Sequence, residues 1–366
     1  MRAFTYDALP GRVVFGAGSR GRLADEVQRL GCSRVFLITD PATKLVAGEL
    51  AEALGDRFGS LYADVQLHVP LEAVAAARDA ARASGADCVV TVGGGSTTGY
   101  GKAIALQSDL PTLAVPTTYA GSEMTPIYGI TSGGVKRTGR DVRVLPKVVL
   151  YDPELTVTLP PAVTAASGMN ALAHCVEGLY AKDANPITSL MAEEAIRALV
   201  RGIPAAVRTP ADLDARSEAL FGAYLAGATL AVVGMALHHR ICHVLGGGWN
   251  LPHAETHAVV LPQSTALVAA HSPAAAQRLS TILGGGDPAQ QVFDLLGQLG
   301  LPTSLAEIGL PEAAVPDAVE RVLAASGDDP LADGAAVRAL LDRAHAGRRP
   351  GSHGRTPVIN GIGETA

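Results

Sequence analysis

The sequence predicts a two-part α/β protein, in which a domain built on a parallel sheet precedes an all-helical domain. With 366 residues, the chain is long enough to bury two hydrophobic cores. Up to about residue 150, short β-branched runs alternate with longer Ala-rich stretches, whereas strand patterns are nearly absent from residue 160 to about 345. We therefore expect an α/β domain over 1–158, an all-helical domain over 159–348 and an irregular tail over 349–366.

Four buried strands with helices between them are expected in the first domain. The strand patterns are "RVFLITD" (34–40), "CVVTVGGG" (88–95), "TLAVPTT" (112–118) and "KVVLYDP" (147–153). "GRLADEVQRL", before the first of them, and "LEAVAAARDAARASGA", between the first two, carry apolar residues at helical spacing. Strands that alternate with helices predict a mostly parallel sheet covered on both faces.

The second domain is expected to consist of helices. Apolar residues recur at helical spacing in "SLMAEEAIRALVRGI", "SEALFGAYLAGATLAVVGMALHHRICHVLG" and "AAVRALLDRAH". The last residues, "RRPGSHGRTPVINGIGETA", are rich in glycine, proline and polar groups, which favours an irregular tail.

Composition indicates a compact protein whose partner is a small molecule. A hydrophobic fraction of 48% with 17% charged residues is typical of a folded chain. The 35 acidic against 29 basic residues give no basic surface for nucleic acid or anionic lipid. Scattered cysteines predict reduced core thiols, at Cys32, Cys88, Cys175 and Cys242. With neither a secretory signal pattern nor an apolar run of about 18 residues, we expect a cytoplasmic protein without a membrane partner.

A Gly-rich turn within "VVTVGGGSTTGYGKAIAL" (89–106) indicates a phosphate site. Gly93, Gly94 and Gly95 directly follow a buried strand, and Ser96 opens a helix. Because glycines lack Cβ atoms, a phosphate can approach the backbone, and the helix N-terminus offers free N–H groups. The turn therefore favours a Rossmann-like dinucleotide-binding domain. The plain alternative is a tight strand-to-helix turn, for which one glycine normally suffices.

Asp40, at the end of "LITD", bears on which dinucleotide binds. An acidic side chain there could accept hydrogen bonds from an adenosine ribose and would repel the additional phosphate of NADP. Asp40 thus favours NADH over NADPH, although a loop aspartate often serves only as a turn or capping residue.

Histidines in the second half of the chain form a candidate active site. "SGMNALAHCVEG" (167–178) places Asn170 and His174 four residues apart on one helix face. "MALHHRICHVLGGGWNLPHAETHAVVLP" (235–262) contains five of the ten histidines. Among them, His239 and His243 are again four apart, and His253 follows a helix-breaking stretch. A single helical histidine is more often a packed core residue, but this clustering predicts side chains that converge on one site.

The residue at position 170 bears on whether this site holds a metal. An aspartate there, together with His174, His239 and His253, would complete a four-ligand site for iron or zinc. Asn170 is neutral and a poor ligand, so metal affinity should fall, and we expect no bound metal. Three imidazoles still hold zinc in some enzymes, which leaves a residual metal site open.

Six stretches resemble the maleylacetate reductases, a branch of the iron-containing alcohol dehydrogenase superfamily. They are "GGGSTTGYGKAIA", "VPTTYAGSEMTPIYGIT", "GGVKRTGRDVRVLPK", "SGMNALAHCVEGLYA", "NPITSLMAEEAIRAL" and "MALHHRICH…NLPHAETHAVVLP". The resemblance runs from about residue 3 to 345. It implies the fold of iron-type alcohol dehydrogenases, which is similar to that of dehydroquinate synthase, with the active site in the cleft between two domains. Members of this branch carry Asn in place of the ligand Asp, as this chain does at position 170.

The resemblance also implies an activity. The expected reaction is reduction of the carbon–carbon double bond of maleylacetate to 3-oxoadipate by NADH or NADPH, in bacterial breakdown of aromatic and chloroaromatic compounds. Removal of halogen from 2-chloromaleylacetate and a homodimeric state are implied as well. Thr117, Thr118 and Ser122 would line the cofactor groove, and Lys136 would face the cofactor or substrate.

This reaction suits a site of histidines and an amide. Hydride addition to an alkene conjugated with carbonyl groups builds charge on an enolate oxygen, which needs hydrogen-bond donors, and a neighbouring carbon then needs a proton. The amide of Asn170 can donate, whereas a carboxylate could not. We expect His243 to donate the proton, with His174, His239 and His253 binding carboxylates or the enolate.

Other interpretations stay open at this point. Arg137, Arg140 and Arg143 could pair with substrate carboxylates, or they could form an exposed basic loop. The chain could be a metal-dependent alcohol dehydrogenase, or a reductase of another unsaturated keto acid. A non-catalytic nucleotide-binding protein on the same scaffold would have no need to retain the histidine cluster.

Overall fold

The computed structural model describes residues 3–133 and 135–351, apart from the side chains of residues 135 and 136. Most of the tail predicted for 349–366 therefore lies outside the described residues. The strands are β1 (Arg12–Phe15), β2 (Val35–Thr39), β3 (Phe58–Tyr62), β4 (Cys88–Gly93), β5 (Thr112–Pro116), β6 (Ile127–Ser132), β7 (Val135–Arg140) and β8 (Val148–Tyr151).

Six of these strands form one parallel sheet, in the order β1-β8-β5-β4-β2-β3. The four predicted strands are confirmed as β2, β4, β5 and β8, which occupy the middle of the sheet and are buried along their whole length. β1 and β3 lie at the edges and are only partly buried. An edge strand needs no continuous apolar run, which is why the sequence pattern does not reveal these two.

Helices cover both faces of the sheet, as the alternating pattern predicts. They are α1 (Leu23–Arg29), α2 (Lys44–Leu54), α3 (Leu71–Ala83) and α4 (Gly95–Ser108). Successive residues of β2 point to opposite faces: Leu37 joins the core with α1 and α2, whereas Phe36 and Ile38 join the core with α3 and α4. β6 and β7 form a separate antiparallel hairpin beside the sheet.

The rest of the described chain is helical. Its α-helices are α5 (Pro161–Gly178), α6 (Pro186–Arg208), α7 (Leu213–Val233), α8 (Leu237–Trp249), α9 (His253–His271), α10 (Pro273–Ile282), α11 (Pro288–Gln298), α12 (Val315–Ser326) and α13 (Gly334–His345). One hydrophobic core joins α5, α6 and α7 with α9 to α11, and a second joins α8 and α9 with α12 and α13.

The long helical pattern over 217–246 is divided in the structure. α7 ends at Val233, Gly234 takes a left-handed φ of 73°, and α8 leaves at an angle of 99°. The three consecutive glycines at 246–248 lie inside α8, and the break before His253 comes at Asn250, whose φ is 52°. This arrangement turns the histidines of α8 towards α5.

No single described helix is both long enough and apolar enough to span a bilayer. The bent pair Leu213–Val233 and Leu237–Trp249 together has the required length and composition.

Candidate active site

A cleft of about 1030 Å³ lies between the sheet and the helical part of the chain. One wall is built from segments that follow β2, β4 and β5, which are adjacent parallel strands. The opposite wall comes from α5, α8 and α9. Because the carboxyl ends of parallel strands meet at one edge of a sheet, this is the place where nucleotide-binding α/β proteins hold their ligands.

The Gly-rich turn after β4 is part of the first wall of the cleft. α4 begins at Gly95 after Gly94, and no side chain caps its N-terminus. Gly94, Gly95 and Ser96 line the cleft at this helix N-terminus, where backbone N–H groups lack helical partners and a phosphate is favoured. Gly93 does not line the cleft.

Gly93 has a conformational role instead. Its φ is +151°, and an added Cβ would lie 2.5 Å from Thr97 Oγ1 and 2.7 Å from Asp40 Oδ2. A larger residue would therefore both strain the backbone and displace the two side chains that shape the turn.

Asp40 holds the turn after β2. Its Oδ1 accepts hydrogen bonds from the backbone N–H groups of Ala42 at 3.0 Å and Thr43 at 3.1 Å, and its Oδ2 accepts from Thr97 Oγ1 at 3.0 Å. Asp40 thus has the role of a turn residue. Asp40 also lines the cleft, so the predicted contact with a ribose stays a prediction.

The loop after β5 supplies the third part of this wall. Thr117, Thr118 and Ser122 line the cleft, as predicted. The Nζ atom of buried Lys102 ties this loop to α4, because it donates to the backbone oxygens of Ser122 at 2.6 Å and Thr125 at 2.8 Å.

The predicted Lys136 cannot be placed in the cleft. Its backbone pairs with Thr131 in the β6–β7 hairpin, and its side chain lies outside the described residues. The nearby arginines of the basic segment lie elsewhere: Arg140 donates to the backbone oxygen of Ala231 and Arg143 pairs with Asp141. None of the arginines Arg137, Arg140 and Arg143 lines the cleft, so the structure favours an exposed basic loop.

The predicted histidine cluster forms the opposite wall. The side chains that line the cleft are Asn170, His174, His239, His243 and His253. The rings of His174 and His239 stack with centroids 5.0 Å apart, and those of His243 and His253 stack at 6.1 Å. The side chains at i, i+4 spacing therefore converge on one site, as the sequence predicts, because α5, α8 and α9 bring them together.

A second row of polar side chains lies behind this wall. His238 Nδ1 is 2.9 Å from Ser264 Oγ, and His238 Nε2 is 2.9 Å from His257 Nδ1. The His257 ring in turn packs against those of His239 and His253, at 4.7 and 4.6 Å. Burial lowers the pKa of His238 to about 3. This row is therefore neutral near pH 7 and supports the cleft histidines by packing and hydrogen bonds.

Glu177 of α5 contacts His239 from behind. It is fully buried, and its Oε2 accepts a hydrogen bond from His239 Nδ1. Burial by itself raises the pKa of Glu177, but His239 and the backbone N–H of Ala236 outweigh this and lower the pKa to about 2. Burial also lowers the pKa of His174 well below its usual value, and neighbouring His239 adds to that effect.

These side chains fit a metal poorly. Among the described residues, His174, His239 and His253 do not bring three ring nitrogens within 4.8 Å of one another. Asn170 Oδ1 is buried without a hydrogen-bond partner, but it is a neutral amide oxygen and brings no charge to a divalent ion. A tighter group, His238, Cys242 and His257, lies behind the wall, where His238 and His257 already share a hydrogen bond.

The four cysteines are buried and unpaired, in accord with the prediction of reduced core thiols.

Sequence reasoning missed the groups that support the cluster. Glu177 lies three residues after His174 within the quoted helix, so helical spacing placed it on the same face. His257 lies four residues after His253. Lys102 gave no signal, because a lysine in a helix is usually exposed and only the fold shows its burial.

Known proteins agree with this architecture. The iron-containing alcohol dehydrogenase model matches residues 10–153, and the model of the C-terminal part of the Fe-containing alcohol dehydrogenase family matches residues 164–335. A maleylacetate reductase from Sphingobium indicum is 51% identical over 88% of this chain and 91% of its own length. One from Burkholderia cepacia is 48% identical over 96% of this chain and 100% of its own length.

A solved structure gives the same result for the fold. The maleylacetate reductase from Rhizobium sp. strain MTP-10005 superposes with a TM-score of 0.90 at 46% identity, covering 96% of this chain and 100% of that one. The chain therefore belongs to the iron-containing alcohol dehydrogenase family, in its maleylacetate reductase branch.

Proposed function

We propose that this protein reduces the carbon–carbon double bond of maleylacetate to give 3-oxoadipate. The observation that carries the proposal is one cleft with a Gly-rich turn at a helix N-terminus on one wall and Asn170 among histidines on the other. Relatives that share about half of its residues over most of the chain are named for this substrate. A reduction that forms an enolate requires hydrogen-bond donors and not a charged set of metal ligands.

The chemistry follows from the two walls. Bound NADH supplies the hydride. When hydride adds to the alkene carbon remote from the ketone, the electron pair moves to the ketone oxygen as an enolate. Asn170 and the cleft histidines stabilise that oxygen, and His243 then delivers a proton to the adjacent carbon. One double bond is thereby replaced by two new C–H bonds.

His243 is the proposed proton donor. Replacing it by alanine should lower kcat by about 100-fold or more, because general-acid catalysis contributes on that order. The matched control is His271→Ala, at the exposed end of α9, which should leave kcat unchanged. Near-normal turnover of the His243 variant would assign the proton to another group.

The proposed cofactor is NADH, with NADPH as the weaker substitute. Asp40 lines the cleft one strand away from the phosphate turn, where a carboxylate would repel an additional phosphate. An Asp40→Ser variant should therefore lower the ratio of KM for NADPH to KM for NADH. No change in that ratio would remove Asp40 from cofactor choice.

The activity is tested by steady-state oxidation of NADH or NADPH with maleylacetate, with the product identified as 3-oxoadipate. 2-Chloromaleylacetate in the same assay tests halogen removal. Turnover of simple alcohols at a higher kcat/KM would favour an alcohol dehydrogenase instead, and a preference for a different unsaturated keto acid would reassign the substrate.

We also propose that the enzyme is a cytoplasmic homodimer acting on a small dicarboxylate, without nucleic acid or membrane partners. Light scattering on the purified protein tests the dimer, for which a mass near 37.4 kDa would be the contrary result.

A further inference from the structure

Glu177 is a buried carboxylate for which the reaction has so far given no role. We propose that Glu177 is a positioning residue for the reduction: it holds His239 by Nδ1 so that Nε2 points into the cleft and binds the enolate oxygen. This inference rests on the proposed function, and it distinguishes His239 from the other cleft histidines.

Glu177 of α5 is fixed by hydrogen bonds from the N-terminus of α8 and from the turn after α5. It lies in α5 with 0% exposure. Its oxygens accept from the backbone N–H groups of Ala236 and His239, both at 3.2 Å, which lie at the N-terminus of α8. Tyr180 Oη donates to it at 3.3 Å. The carboxylate thus caps the helix that begins after the α7–α8 break, where a negative charge is favourable.

The same carboxylate determines how the His239 ring is used. His239 Nδ1–H donates to Glu177 Oε2, so Nδ1 is not available to bind a substrate. Nε2 is buried and without a hydrogen-bond partner among the described residues, while the side chain lines the cleft. A carboxylate on one imidazole nitrogen fixes the ring orientation and stabilises the form that carries a proton on the other.

Within the part of the chain that the structure describes, the arginine and lysine side chains near the cleft are less suited to this task. Among the described residues, no arginine lines the cleft. Lys102 does line it, but its Nζ donates to three backbone oxygens and to Thr125 Oγ1 at 2.6 to 3.0 Å. A growing negative charge on an enolate therefore needs a donor from the histidine wall.

Glu177→Gln tests the assignment, because the amide keeps the size and an acceptor oxygen but removes the charge. With NADH and maleylacetate, kcat should fall about 100-fold, while KM for NADH stays unchanged. The deuterium isotope effect on kcat with 4-deuterated NADH should rise, since hydride transfer becomes the slow step. A partly unfolded enzyme would lower kcat without changing the isotope effect.

Two further variants complete the test. Glu194→Gln removes the charge of an exposed carboxylate on α6, away from the cleft, and should retain the kcat of the wild type. Glu177→Asp keeps the charge on a shorter side chain, so its kcat should lie between those of the wild type and the Gln variant. A Gln variant with normal kcat, or an Asp variant no better than the Gln variant, would overturn the inference. A wild type inactive on maleylacetate would instead refute the proposed function.

Discussion

Asn170 is the residue on which the chemistry of the cleft depends most. It is 3% exposed on α5, one helical turn from His174, and its Oδ1 has no hydrogen-bond partner among the described residues. An aspartate would differ by little in size but would add a negative charge beside three histidines. That charge attracts a divalent metal and repels an enolate, so one substitution should move the site between two kinds of chemistry.

Asn170→Asp should accordingly raise the affinity for iron or zinc and lower kcat for maleylacetate by about 10-fold or more. Metal content by mass spectrometry and the steady-state assay measure the two effects. Asn185→Asp is a matched control, because Asn185 is also buried but caps α6 away from the cleft, and aspartate caps a helix equally well. Unchanged metal affinity and rate in the Asn170 variant would leave position 170 without its assigned role.

The Gly-rich turn after β4 shows how an element depends on a single backbone conformation. Gly93→Ala would place a Cβ against Asp40 and Thr97 at a φ that side chains rarely adopt. We expect a loss of about 1 to 3 kcal/mol in stability and a higher Kd for NADH. Gly48→Ala is the control, since a Cβ on that residue of α2 meets nothing within 4 Å. Equal thermal midpoints and NADH affinities for both variants would show that the turn tolerates a side chain.

The buried histidine row makes stability depend on pH. The pKa of His238 is lowered to about 3 in the folded protein, whereas an unfolded histidine titrates near 6.5. The unfolded chain therefore binds this proton first, so the contribution of neutral His238 is complete above pH 6.5 and is lost as pH falls towards 3. Near pH 5, His238→Asn should make the slope of stability against pH shallower by about 1.4 kcal/mol per unit.

Urea unfolding at pH 7, 6 and 5 gives that slope. His271→Asn, on the surface end of α9, controls for the loss of one histidine. A slope that is the same for wild type and the His238 variant would mean that His238 is protonated in the folded protein.

The sequence predicted the strands that are buried along their whole length and missed those that are not. β2, β4, β5 and β8 are mainly apolar because both faces are covered, whereas the partly exposed β1 and β3 carry no comparable run. The i, i+4 spacing brought out His239 and His243. The contact of Glu177 with His239 spans 62 residues and depends on a helix break, which no local pattern encodes.

At the scale of the whole molecule, the two parts of the chain meet through close backbone contact. A Cβ on Gly227 of α7 would lie 2.5 Å from the backbone oxygen of Gly121. Gly121 belongs to the loop after β5, which forms part of the first wall of the cleft. Buried Arg216 adds a second link, since its guanidinium donates to Tyr119 Oη at 3.2 Å and to Thr164 Oγ1 at 2.8 Å. These contacts join the loop after β5 to α5 and α7 of the helical part.

Gly227→Ala should therefore push the Gly121 loop away from α7. The expected result is a loss of about 1 to 3 kcal/mol in stability and a higher KM for NADH, because overpacking shifts the backbone. Gly297→Ala, in α11 with nothing within 4 Å of its Cβ, should change neither quantity. An unchanged KM for NADH in the Gly227 variant would show that the loop adjusts without altering the first wall of the cleft.

We propose that NADH reduces the alkene in a cleft where the histidines and Asn170 stabilise the enolate without the metal for which the family is named. This proposal is tested most directly by assaying maleylacetate-dependent NADH oxidation before and after the enzyme is freed of iron and zinc with a chelator. We expect the same kcat in both samples and no increase when either metal is added back. Activity that disappears on chelation and returns with iron or zinc would contradict it.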